Sequence, residues 1–118
     1  SRGKCLALRD LATRVVAGEL PTARKLRQMS DADIISALTV VRGIGPWTAQ
    51  MLLIFYLGRP DVLPSGDLGV RRGYQYLRGF KTLPEPDKLE RAGRRWRPYR
   101  TVASWYLWRS LDIDLPTS

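Results

Sequence analysis

Two glycines one residue apart, Gly43 and Gly45, with Pro46 directly behind them, stand between two stretches of helix-like apolar spacing. Glycine accepts a positive φ and admits another backbone at close range. Gly-Ile-Gly therefore stops one helix abruptly, and Pro46 suits the first turn of the next, where a missing N–H costs nothing. The chain is thereby committed to a tight corner between two helices over about residues 34–57. Such a corner leaves the first amides of the second helix without intrahelical acceptors, at the positive end of its dipole. A phosphate is attracted to that place. Read alone, Gly-x-Gly fits better a plain helix–helix turn that holds no ligand.

The remaining sequence also reads as helices. Residues 4–17 place Leu6, Leu8, Leu11, Ala12, Val15 and Val16 at helical spacing, with Gly18 and Pro21 as stops. Residues 22–29 suit a short helix. Ser30 reads as an N-cap ahead of Asp31 and Asp33, opening a helix through Ile34, Ile35 and Leu38 toward Val41. The segment after Pro46 carries Trp47, Met51, Leu52, Ile54, Phe55 and Tyr56. It is apolar almost all round, which predicts a buried central helix. A loop over 59–66 leads to Asp67, and a helix is expected over 68–77, ending at Gly79. After a proline-rich connector, a long helical stretch begins at Asp87, and Pro98 should kink or split it. Core packing is the expectation for Phe55, Tyr74, Tyr76, Trp105 and Trp108. With no convincing strand and no repeat, the fold class is all-α, a helical bundle forming a single domain over 1–118.

Composition narrows the chemistry. The formal charge is +9 and the pI near 10.4, a field that draws polyanions, although an arginine-rich coding bias gives the same ratio of Arg to Lys. One cysteine and no histidine exclude an internal disulfide, a cysteine-built metal site, a histidine base and a Ser-His-Asp triad. Catalysis must then come from carboxylates, lysines, tyrosines or backbone dipoles, and Asp and Glu together number 11. The longest apolar run, 51–57, is far short of the ~20 residues of a membrane span, so no membrane partner is expected. The chain starts at Ser1 in helical composition and reads as a piece of a longer protein.

Val41-Arg42-Gly43-Ile44-Gly45-Pro46-Trp47-Thr48-Ala49 resembles, over its full length, the helix-hairpin-helix signature of base-excision DNA glycosylases. The likeness is closest to the alkylation-repair branch, the 3-methyladenine DNA glycosylase II type. It continues through Leu52, Ile54 and Phe55, through residues 64–72, and through Trp96-Arg97-Pro98-Tyr99-Arg100. The resemblance implies a helical glycosylase fold whose upstream helices precede this chain. Apolar surface left by their absence would favour self-association.

Several site residues follow from that likeness. Asp67, at the end of the 59–67 loop and ahead of Leu68-Gly69-Val70-Arg71-Arg72, takes the family's catalytic carboxylate; read locally it is a helix N-cap, and the two roles are compatible. Trp47, Met51 and Trp96 take positions that line the pocket for a flipped base, where an electron-rich ring attracts a cationic purine. Gly43, Ile44, Gly45 and Thr48 would grip the DNA backbone; Arg71, Arg72, Arg94, Arg95, Arg97 and Arg100 read one by one as solvated surface charges, and as a group would form a basic rim. The family hairpin implies a monovalent cation, Na+ or K+, on the carbonyls of Thr39, Val41 and Ile44, and no other cofactor. Relatives that nick the strand carry a Schiff-base lysine where Trp47 stands, so a monofunctional enzyme is implied, one that leaves an abasic site. The implied partner is double-stranded DNA containing damaged bases. The implied location is the bacterial nucleoid in the cytoplasm, or a nucleus. Two rivals are a non-catalytic helix-hairpin-helix module, which has no need of Asp67, and a helical protein-interaction domain, which explains neither the glycines nor the charge.

Overall fold

The computed structural model describes residues 2–113, and within them every regular element is helical. The elements are α1 (Arg2–Val16), α2 (Ala23–Gln28), α3 (Asp31–Leu38), α4 (Pro46–Met51) running into a π-helical turn (Leu52–Tyr56), α5 (Leu68–Arg78), α6 (Pro86–Gly93), a 3-10 turn (Arg94–Trp96) and α7 (Arg100–Ile113). Two compact units divide the chain, Ser1–Leu57 and Gly58–Ser118. No helix among the described residues is long and apolar enough to cross a membrane.

In the first unit, side-chain caps begin the short helices: Thr22 accepts from the Lys25 amide and Ser30 from that of Asp33. Ile34, Val41, Ala49, Leu53 and Ile54 are buried, so α3 and α4 meet along one apolar stripe. Helix α3 ends at Leu38, short of Val41, which lies in the following turn. Two further expectations need correction. The segment after Pro46 is not buried all round, since Trp47, Phe55 and Tyr56 stay 53–59% exposed. The π turn is one cause, because it widens the helix and moves Phe55 and Tyr56 off the face that Ala49 and Leu53 bury. Helix α1 likewise leaves Val15 and Val16 exposed at its last turn. The face expected at Leu8 and Leu11 lies outside the described side chains.

In the second unit, α5 packs on α7, and Leu63, Val70, Tyr74, Leu89 and Leu107 form the core between these helices, α6 and the preceding loop. Gly73 permits the approach: a Cβ there would stand 2.0 Å from the Leu107 carbonyl oxygen. Pro98 does split the last helical stretch, with a 3-10 turn before it and α7 beginning at Arg100. Of the aromatics expected in the core, Tyr74 is buried, whereas Tyr76 and Trp105 are exposed.

Candidate functional site

The hairpin is built from a turn closed by the Ile44 amide on the Val41 carbonyl at 3.0 Å, with Gly43 at φ +88°. A positive φ at the third position of a turn is what glycine supplies without strain. This corrects one expectation, because the Ile44 N–H is spent inside the turn and does not serve as a phosphate donor. Gly45 is the N-cap of α4 and makes no side-chain cap, while Pro46 has no N–H. The first-turn amides of Trp47 and Thr48 are then the donors that such a helix start presents. Thr48 and Trp47 are both exposed there, and Met51 is half-buried at the end of α4. Of the carbonyls considered for a cation, that of Val41 already accepts Ile44, which leaves its second lone pair.

Asp67 is the N-cap of α5. Its Oδ2 accepts two N–H groups, from the Val70 backbone at 2.9 Å and from the Trp108 indole Nε1 at 2.8 Å. The cap follows from sequence, since Asp precedes the first turn of a helix. The second bond does not: it comes from α7, and it needs Gly69, whose absent Cβ would sit 3.0 Å from the indole of Trp108. Trp108 in turn meets Trp105 edge to face at 5.6 Å. A half-buried carboxylate held by two donors is fixed in direction, as a group that stabilises a cation developing beside it must be.

The loop that delivers Asp67 is fastened by the first turn of α7. The Thr101 hydroxyl accepts from the Val62 amide and donates to the Arg59 carbonyl, the Thr101 amide reaches the Pro60 carbonyl, and the Ser104 hydroxyl donates to the Val62 carbonyl. Arg100 grips Asp61 through Nε at 2.8 Å and Nη2 at 3.0 Å, adds its own amide at 3.1 Å, and reaches Glu90 at 3.4 Å. The Arg100 side chain, foremost, holds the Asp61 carboxyl below the usual carboxylate range against the opposing effect of burial.

Other sites expected from sequence are redistributed. Trp96, in the 3-10 turn, lies on the core, edge to face with Tyr74 at 6.0 Å. Tyr74 lies two turns along α5 from Asp67, about 10 Å by helical rise. Trp96, Tyr74, Leu77 and Arg95 line an open cavity of about 210 Å3. Arg100 is committed to Asp61, and Arg71 donates Nε to the Pro84 carbonyl at 2.9 Å, so neither is a simple rim cation. Arg97 turns its Nε onto the Arg94 carbonyl, while Arg72, Arg94 and Arg95 are exposed. For Trp108 the size of the ring pointed to core packing. Its place on one face of α7 with Thr101 and Ser104, the residues that fasten the loop, was the available clue to its role.

No family model matches the chain. It is 38% identical over 113 residues to DNA-3-methyladenine glycosylase 1 of Schizosaccharomyces pombe, covering 96% of this chain and 50% of that protein. Its fold superposes on the solved structure of the S. pombe 3-methyladenine DNA glycosylase in complex with abasic DNA with a TM-score of 0.91, at 36% identity, over 100% of this chain and 57% of that one. A DNA-3-methyladenine glycosidase from Bacillus halodurans gives a TM-score of 0.82 at 39% identity, over 93% of this chain and 50% of that one. The chain thus spans about half the length of these relatives. Over the stretch that it spans, it belongs to the helix-hairpin-helix DNA glycosylase superfamily, within the 3-methyladenine glycosylase branch.

Proposed function

We propose that this chain is the hairpin-and-carboxylate part of a base-excision DNA glycosylase that hydrolyses the N-glycosidic bond of alkylated purines of the 3-methyladenine type. The observation that carries the reading is Asp67, whose Oδ2 is fixed by the Val70 amide and the Trp108 indole, at the family's catalytic position. The substrate is double-stranded DNA with a damaged base, held where the cell keeps its DNA. The amides at the start of α4, with Gly45 and Thr48, take a backbone phosphate, and exposed arginines such as Arg72 add charge without reading sequence. The carbonyls of Thr39, Val41 and Ile44 follow the C-terminal, negative end of α3, and neutral oxygens there suit Na+ or K+.

Heterolysis of the C1′–N bond sends the electron pair to the base and leaves positive charge on the sugar. The Asp67 carboxylate stabilises that charge and takes a proton from the water that bonds to C1′. A purine alkylated on a ring nitrogen already carries positive charge and leaves without an acid, which suits a chain with no histidine. Trp47, Met51 and Trp96 keep the pocket assignment that the resemblance implies, and Trp108 supplies the indole beside the carboxylate. With Trp47 in place of a Schiff-base lysine, the strand stays intact at the abasic site.

The test is single-turnover base release from an alkylated duplex. Wild-type protein should free the base and leave strands whole until alkali is added. Asp67→Asn keeps the size and an acceptor but loses the charge, and release should slow ~10²–10³-fold with DNA affinity unchanged or slightly raised. If Asn at this position leaves the chemical step within about threefold of wild type, less than roughly 0.7 kcal/mol, Asp67 is only a cap and the chain is a DNA-gripping module without chemistry.

A further inference from the structure

The turn that forms the hairpin leaves amides that it cannot satisfy itself, that of Arg42 among them. In a four-residue turn closed between Val41 and Ile44, the N–H of the second residue, Arg42, points outward. Its acceptor comes from a distant part of the unit. Asp10, in the third turn of α1, accepts the Arg42 amide on Oδ2 at 2.6 Å, and the same oxygen accepts Arg14 Nε at 3.2 Å. Arg14 is oriented by a second partner, with Nη1 on Glu19 at 2.9 Å. The Arg42 amide, foremost, keeps the Asp10 carboxyl below its ordinary range. Asp10, Arg14 and Arg42 border a cavity of about 490 Å3 that Arg9, Thr13 and Val40 also line.

We propose that Asp10 is a positioning residue for the DNA grip: from α1 it pins the Arg42 amide, and so holds the Val41–Ile44 turn in the shape that aims the α4 amides at a phosphate. Glu19 and Arg14 form the outer part of the same device, setting the carboxylate's direction. In this role Asp10 acts through the turn. A carboxylate this close to a phosphate site would repel DNA if it had no other task, and its commitment to an amide and a guanidinium offsets that charge locally. The inference rests on the glycosylase reading for its function, but the anchor itself does not.

The experiment compares wild type, Asp10→Ala and Asp10→Asn. Asn retains an oxygen acceptor for the Arg42 amide while losing the charge. Asp10→Ala should weaken binding to intact and lesion duplexes alike by roughly tenfold, the worth of one charge-assisted hydrogen bond. Base release at saturating protein should stay unchanged, and Asp10→Asn should recover most of the affinity. A role in general stability would lower the folded fraction without this split between affinity and rate and without rescue by Asn. Wild-type affinity in Asp10→Ala, or an Asn variant as weak as Ala, overturns the proposal. Hydrogen exchange of the Arg42 amide in wild type gives a readout that needs no variant to fold. It should be slow, and exchange as fast as in an open turn also overturns the proposal. If wild type binds no DNA while that amide is protected, the glycosylase reading fails and the anchor stands.

Discussion

At the residue scale, the decisive contact is between Trp108 and Asp67. An N-cap aspartate alone is held by one amide and can swing about its side-chain bonds; the indole N–H at 2.8 Å removes that freedom. Trp108→Phe keeps most of the ring and deletes the donor. The expected result is base release slowed about tenfold, the equivalent of ~1.4 kcal/mol in the barrier, because the carboxylate must be ordered again in each transition state. DNA affinity should be unaffected, as measured by a titration beside the single-turnover assay. An unchanged rate would mean that the Val70 amide suffices to hold Asp67.

At the element scale, the loop from Gly58 to Asp67 is a rigid arm because α7 begins with residues that answer its backbone: Arg100, Thr101 and Ser104 satisfy Arg59, Pro60, Asp61 and Val62. The Asp61–Arg100 pair makes the arm pH-sensitive. Since the folded carboxyl of Asp61 is held below its unfolded value, its contribution is complete above the unfolded pKa of ~3.9 and is lost as pH falls through the folded value. Denaturant unfolding should find Asp61→Asn less stable than wild type by about 2 kcal/mol at pH 7, where the charge-assisted bonds are intact. The gap should hold down to about pH 5 and close below about pH 4. A gap that persists at pH 2 would show that packing, not the carboxylate charge, fastens the loop.

At the scale of the whole molecule, the charge of +9 draws polyanions, and on the proposed reading DNA is the polyanion that it brings to the site. Neutralising about four phosphates predicts a loss of affinity near 10²-fold between 50 and 200 mM salt, with the single-turnover rate at saturating protein unchanged. Fluorescence anisotropy across that range checks it, and binding indifferent to salt would remove the electrostatic grip. The charge is not spread over equal partners. Arg14 and Arg100 serve structure, Arg71 is partly tied, and the exposed Arg72, Arg94 and Arg95 are left to meet a polyanion.

Local chemistry was legible from sequence wherever neighbours along the chain decide it. The caps Ser30 and Asp67, the Gly43 turn, the Pro98 break and the candidate carboxylate are of this kind, because each depends on a few consecutive residues. Asp10 on the hairpin, Arg100 on Asp61, and Trp108 on Asp67 depended on which helices meet. Their partners lie 32–41 residues away in the chain. Helical spacing specifies which side of a helix a residue occupies, but the element facing that side is chosen by packing such as the Gly73–Leu107 approach. The sequence by itself therefore determined the helices, their breaks and the kind of chemistry, whereas only the tertiary structure decided which side chains hold the hairpin and the carboxylate in place.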